Sequence, residues 1–284
     1  MEEAAAGLAQ AGHVAFVSRA TELYAKLPSA DVHGFTQPAW LGGPEANPVN
    51  TDNMLVLGTA VGVDDALVLA VAHGNYKDAG CYLASAIAVC ELHAELVKPL
   101  LAQADVAPAL RRAFLKCNER ITHLERLELG RRRLATAVGP RKNLRGIGAS
   151  VLAIVVASGF AWIAHVGENR ALIVRDGGAR QLVVPHTLAY APEERSSRNS
   201  SADDIVLRVL GCGQETLHLD VLRAPVSCGD RLIIGNAGVG AMLDESTMDW
   251  RAGAPQAVVR RFVQKSLEKL PHLPPTLLVA DTLR

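Results

Sequence analysis

Residues 148–187, GASVLAIVVASGFAWIAHVGENRALIVRDGGARQLVVPHT, decide how this chain folds. Val151 to Val156 is an unbroken apolar run, short enough for a strand covered on both faces. Ser158-Gly159 is a turn signal, and Phe160 to Val166 resumes the run, broken only by His165. A polar link, Gly167-Glu168-Asn169-Arg170, separates it from Ala171 to Val174. Asp176-Gly177 is a dipeptide that tight hairpins favour, because glycine accepts positive φ without a steric penalty. Leu182 to Val184 then closes a meander of four short strands. Hairpin connections of this kind predict an antiparallel sheet with local links.

Four short signals in this stretch occur in a telling order: Gly148-Ala149-Ser150, Gly167-Glu168-Asn169-Arg170, Arg175-Asp176-Gly177 and Pro185-His186. They resemble the G-T-T, G-D-S-R, R-D-G and D-H motifs of the metal-dependent PP2C-type (PPM) serine/threonine protein phosphatases. The resemblance extends from about Asn47 to Leu278. It implies an α+β fold, a four-layer α-β-β-α sandwich of two mostly antiparallel sheets flanked by helix pairs. The expected organisation is an N-terminal helical extension over 1–30 and a single domain over 31–284.

Composition bounds the rest. The chain has 284 residues, 49% of them hydrophobic but only 4% aromatic, so a core must be built from Ala, Val, Leu and Ile. Lys and Arg number 29, as do Asp and Glu, which argues against a general binder of nucleic acid or membrane surface. Charge is unevenly placed: Lys98 to Arg145 carries twelve basic residues against four acids. Five scattered cysteines without a C-x-x-C pair read as reduced thiols. With no signal-peptide pattern and no apolar run of about 20 residues, a cytoplasmic protein is expected.

Gly80 to Leu101 resembles the family's first long helix, and a second is predicted over Pro108 to Leu134 from Leu110, Phe114, Cys117, Ile121, Leu124 and Leu127 at helical spacing. A third is predicted from Pro255 to about Leu270. The Ala-rich residues 2–28 read as helical, with Val17, Leu23, Tyr24 and Leu27 as a rough stripe. Pro192 to Asp204 is a polar loop.

The resemblance fails in the acids. Where the family has Arg-x-x-Asn-Glu-Asp, this chain has Asn47-Pro48-Val49-Asn50-Thr51-Asp52, so the phosphate-holding guanidinium has become an amide. Where the family has Asp-Gly, its Asp bridging two metal ions, this chain has His73-Gly74. The Asp of Ser-Asp-Gly-Leu is replaced by Ala237, and that of the final Asp-Asn by Leu273. The counterparts of the metal centre therefore read Thr51, Asp52, His73, Gly74, Ala237 and Leu273, with Asn47 at the phosphate position. Family chemistry needs two divalent ions about 3.5–4 Å apart, and mutual repulsion requires several negative ligands to hold them.

The expectation is thus a catalytically inactive PP2C-like domain, a pseudophosphatase without catalytic, metal-binding or phosphate-binding residues and without a cofactor. It would act by binding another protein, a kinase or phosphoprotein of the same pathway, rather than nucleic acid or membrane. Arg131, Arg132, Arg133, Arg141, Lys142 and Arg145 are the candidate patch for an acidic partner. The alternative is an atypical active phosphatase, holding one Mn2+ or Mg2+ through some of Asp52, Asp64, Asp65, His73, Asp78, Glu168 and His186. A nucleotide-binding reading of Gly235 to Gly240 lacks a G-x-G-x-x-G between strand and helix.

Overall fold

A computed structural model describes residues 13–18, 22–27, 29–36, 51–59, 66–75, 81–102, 104–135, 147–190, 205–212, 216–243, 248–269 and 275–283. In chain order these form β1 (His13–Ser18), β2 (Glu22–Lys26), β3 (Ala30–Phe35), β4 (Asp52–Thr59), β5 (Ala66–Asn75), α1 (Cys81–Leu101) and α2 (Val106–Ala135). There follow β6 (Gly148–Ala157), β7 (Phe160–Val166), β8 (Arg170–Arg175), β9 (Gly178–Gln181), β10 (Leu210–Gly211) and β11 (Asp220–Pro225). The chain ends through β12 (Arg231–Gly235), α3 (Ala237–Leu243), α4 (Pro255–Lys269) and β13 (Leu277–Thr282).

Two antiparallel sheets result. The first runs β1-β4-β5-β6-β7-β11 with β10 added on β6, and the second runs β2-β3-β13-β12-β8-β9. Strand alternation gives each sheet two apolar faces. Leu55, Leu57, Val68, Val151 and Val155 pack with Leu92, Leu96, Leu110 and Phe114 of α1 and α2. From the same strands, Met54, Val56, Leu69, Val71, Leu152 and Ile154 point the other way, against Ile173, Leu232, Ile234 and Leu278 of the second sheet. That sheet turns Leu172, Ile233, Leu277 and Val279 towards Val239 of α3 and Val258, Val259 and Phe262 of α4. Being covered twice is why these strands read as apolar runs without alternation. The four-layer α-β-β-α sandwich follows from these three cores.

The 148–187 stretch is divided between the sheets and is not one meander. β6 and β7 pair in the first sheet, whereas β8 and β9 belong to the second. Both hairpin turns have positive φ at two central residues, 49° and 75° at Ser158-Gly159 and 48° and 86° at Asp176-Gly177, the twist that suits paired strands. The crossing between sheets is made at Gly167, whose φ is 108° and whose missing Cβ would lie 2.7 Å from the Ser150 Cα. Period alone does not reveal such a crossing, because both sides of it are apolar. β9 comprises Gly178–Gln181, so Leu182 to Val184 lies beyond it.

The helical expectation for the N-terminal residues is corrected where they are described, 1–12 and 19–21 lying outside the described residues. Residues 13–18 and 22–26 are strands, β1 pairing with β4 and β2 with β3. In β2, Leu23 and Ala25 are buried while Glu22, Tyr24 and Lys26 are exposed, a period of two. A turn closed by reciprocal Leu27–Ala30 backbone hydrogen bonds leads into β3. Sheet pairing thus decides these two segments, which hold only Ala15 and Ala25 of the alanines in 2–28. Pro108 is the third residue of α2 and not its first, still within the turn where backbone N–H groups have no helical partner. The strand expected over Val206 to Gly211 shortens to β10, joined by a Thr187–Val206 bridge. The polar loop read at Pro192 to Asp204 lies outside the described residues.

Candidate functional site

β4 begins at Asp52, and its register pairs Asp52 directly with His73 of β5, which in turn faces Ser150 of β6. The three side chains share the face that looks into the sandwich, as Met54, Val71 and Leu152 do two positions along the same strands. Across from them the second sheet supplies Asn236, just after β12, and Thr276, just before β13. The link 167–169 between the sheets brings Glu168 alongside.

Asp52 is the hub of this group. It is 3% exposed and accepts four hydrogen bonds from side chains. Its Oδ1 takes one from the Thr51 hydroxyl at 3.1 Å and one from His73 Nδ1 at 2.5 Å. Its Oδ2 takes one from Asn236 Nδ2 at 2.7 Å and one from the Thr276 hydroxyl at 2.6 Å. Since the Thr276 hydroxyl donates to Asp52, it accepts from Thr36 at 2.8 Å. A carboxylate offers about four lone-pair positions, and all four of Asp52 are engaged. Asn236 is fixed in turn: its carbonyl Oδ1 accepts from the N–H groups of Val239 and Thr276.

His73 lies between two acids. Its Nε2 is 3.5 Å from Glu168 Oε1, on the far side of the ring from Asp52. A carboxylate thus faces each nitrogen, Asp52 within hydrogen-bond distance and Glu168 beyond it, an arrangement that favours the protonated ring. Burial pushes its pKa down, but the charge and hydrogen bond of Asp52, with the charge of Glu168, outweigh this and raise it to about 9. For Asp52, burial pushes up, and His73, Thr276 and Asn236 more than reverse it, leaving the carboxyl below its ordinary value. Asn169 ties the Glu168 loop down by donating to the Val71 and Ser150 carbonyls, each at 3.1 Å.

Of the positions singled out from sequence, Thr51, Asp52, His73, Gly74 and Ala237 converge here. The Gly74 N–H donates to the Thr51 carbonyl at 3.0 Å, and Ala237 opens α3 directly after Asn236. Asn47 and Leu273 lie outside the described residues, as do Asp64, Asp65 and Asp78. His186 turns away from the group: its Nδ1 accepts from the Gly167 N–H at 3.1 Å, and its Nε2 donates to Asp220 at 3.0 Å. Arg131, Arg132 and Arg133 fall in the last turns of α2. Arg141, Lys142 and Arg145 lie outside the described residues. Sequence reasoning missed Asn236 and Thr276 as partners of Asp52, 184 and 224 residues away, a separation at which no local pattern operates. Among the described residues, no group of three His, Cys, Asp or Glu side chains is arranged to hold a metal ion. None of the described helices is long and apolar enough to cross a membrane.

No protein-family model matches this chain. The serine/threonine phosphatases stp of Listeria innocua and Listeria monocytogenes are 26% identical to it over 113 residues, 38% of this chain. The match spans 44% of the length of those relatives, less than half. Among solved structures, the Mycobacterium tuberculosis serine/threonine phosphatase PstP/Ppp superposes with a TM-score of 0.67 at 19% identity, covering 90% of this chain and all of that one. A PstP catalytic domain in complex with two manganese ions gives 0.68 at 17% identity, over 90% of this chain and 99% of that one. PppA, a regulatory component of the T6SS in Pseudomonas aeruginosa, gives 0.65 at 20% identity, over 90% and 98%. These structural likenesses establish the PP2C-like fold.

Proposed function

We propose that this chain is a PPM-family phosphatase homologue that has lost catalysis and works by binding another protein. The observation that carries this reading is the state of Asp52, whose lone pairs are all engaged by Thr51, His73, Asn236 and Thr276. A divalent ion would have to displace one of these donors. The nearest of them is itself a cation, His73. Ala237 offers no side-chain oxygen, and Glu168 already faces His73. The residues present do not fit a two-metal centre, which needs several negative oxygens with lone pairs to spare. Fold and activity part here because chemistry resides in the site, not in the scaffold.

Manganese titration by calorimetry, with a parallel aryl-phosphate assay, tests the inactive half of the proposal. The expected result is no stoichiometric binding and no turnover. Micromolar binding with turnover that disappears in Asp52→Ala establishes the alternative, an atypical metal-dependent phosphatase, instead.

The binding half rests on the basic excess at the end of α2 and beyond it, and the partner we propose is an acidic or phosphorylated protein such as a kinase of the same pathway. Recovery of that partner by pull-down from the native host is expected to fall at least about tenfold, roughly 1.4 kcal/mol, when Arg131, Arg132 and Arg133 are reversed to Glu. Unchanged recovery removes the patch from the proposal.

A further inference from the structure

The second sheet ends on β2, and among the described residues no strand pairs with its outer side. Proteins commonly blunt such an edge with proline, shortness or charge, because its free backbone groups template further pairing. The edge strand β11 ends in Pro225, and the edge strand β9 has four residues beginning at Gly178. β2 holds neither proline nor glycine. Its exposed side chains are Glu22, Tyr24 and Lys26, with Tyr24 55% exposed.

The backbone phase of β2 is fixed by its turn. Leu27 and Ala30 exchange both of their backbone hydrogen bonds, and the β2–β3 register continues from that pair. Bonding alternates along an antiparallel pair, so Leu23 and Ala25 bond to β3 while the N–H and C=O groups of Glu22, Tyr24 and Lys26 point outwards. A second β2 laid antiparallel and centred on Tyr24 meets these groups in phase. Tyr24 then faces Tyr24, and Glu22 faces Lys26 of the other copy at both ends. A slip of two residues sets Tyr24 against a charge, and a slip of four sets like charges together. Glu22 approaches His33 at 2.8 Å and Arg260 at 3.8 Å, both through Oε1, which leaves Oε2 to a lysine ammonium.

We propose that β2 is a self-complementary edge through which two copies of this chain join about a twofold axis at Tyr24, continuing the second sheet across the dimer. The occupant is a second copy because opposite charges stand at equal distances from the centre of β2, and a twofold axis brings each to its complement. An edge lysine opposes pairing with most strands, and here an acid of the same strand meets it.

Sedimentation velocity of the full chain tests this. Wild type is expected to form a reversible dimer by about 100 μM, the behaviour of a small interface. Lys26→Glu sets acid against acid and Glu22→Lys sets base against base, so each is expected to weaken dimerisation at least about tenfold. Mixed in equal amounts, the two variants regain opposite charges at both ends, and association near wild-type strength is expected to return. A wild type still monomeric at about 100 μM overturns the proposal. So does a folded Lys26→Glu that dimerises as tightly as wild type, or a mixture of two folded variants no more associated than its components. Circular dichroism establishes that each variant is folded. Should Glu22→Lys lose its fold along with its contact to His33, the comparison of Lys26→Glu with wild type decides alone.

Discussion

Asp52→Ala is expected to destabilise the chain by about 3–5 kcal/mol, the range for removing one member of a buried ion pair. The loss is large because four donors lose their acceptor at once. His73 keeps only Glu168, at 3.5 Å and through its other nitrogen. Asn236 and Thr276 flank strands of the second sheet and cannot follow a retreating partner, so the charge-assisted bonds they make to Asp52 are lost, although the Thr276 hydroxyl can turn to Thr36. The bonds from Asp52 to Asn236 and Thr276 also join the start of β4 to the residues between β12 and β13, and that join is lost with them. Asp52→Asn keeps the shape but turns an amide donor towards other donors, so an intermediate loss is expected. Urea unfolding in EDTA measures both. Were Asp52 instead chiefly a metal ligand, its removal would leave the EDTA stability nearly unchanged and abolish only a manganese-dependent increment. Finding that pattern would overturn the structural role given to this carboxylate.

How much of this was legible in the sequence depended on the distance over which each signal acts. The hairpin turns at Ser158-Gly159 and Asp176-Gly177 were readable because positive φ is set by the residues themselves. Helices α2 and α4 were readable from spacing, since each buries one stripe against one sheet, whereas α1 was read from the family resemblance. The division of 148–187 between two sheets was not, because Gly167 turns the chain from one apolar environment into another and the pattern does not change across it. The N-terminal strands were misread because alternation over β2 lasts only five residues, while alanine-rich composition favours helix until a partner strand is present. At the site, the substitutions at positions 73 and 237 were visible in register with the family motifs. What could not be seen was that Asp52, the acid that persists, is engaged on both oxygens, because two of its donors come from the other sheet. The identity of a residue is local information, whereas the occupancy of its lone pairs is a property of the assembled sandwich.

Stability is expected to fall on the alkaline side of neutrality, through His73. Folded, its pKa is about 9, whereas in an unfolded chain imidazole titrates near about 6.5. Between those values the native state holds a proton that the unfolded state has released, so raising the pH favours unfolding. The contribution is complete below about pH 6.5 and gone above about pH 9, and at roughly 1.4 kcal/mol per pKa unit it is on the order of a few kcal/mol. On the acid side the signs differ. Burial, partly offset by Glu22 and Asp220 respectively, lowers the pKa of His33 and His186, and burial, reinforced by His186, Arg170 and Arg208 nearby, lowers that of His165. These rings enter the fold neutral, so their contributions hold above about pH 6.5 and are lost as the pH falls below it. The depressed Asp52 adds a further loss as the pH falls below the ordinary carboxylate range. Among the described histidines whose pKa moves, His73 alone moves upward, and the alkaline limb is assigned to it. Urea midpoints measured from about pH 6.5 to 8.5, below the range in which burial of the Cys117 thiol adds its own alkaline loss, should decline in the wild type, and in His73→Gln should start lower and stay nearly flat. An equally steep decline in the variant would show that some other group titrates there, and that the Asp52–His73 pair does not carry the pH dependence.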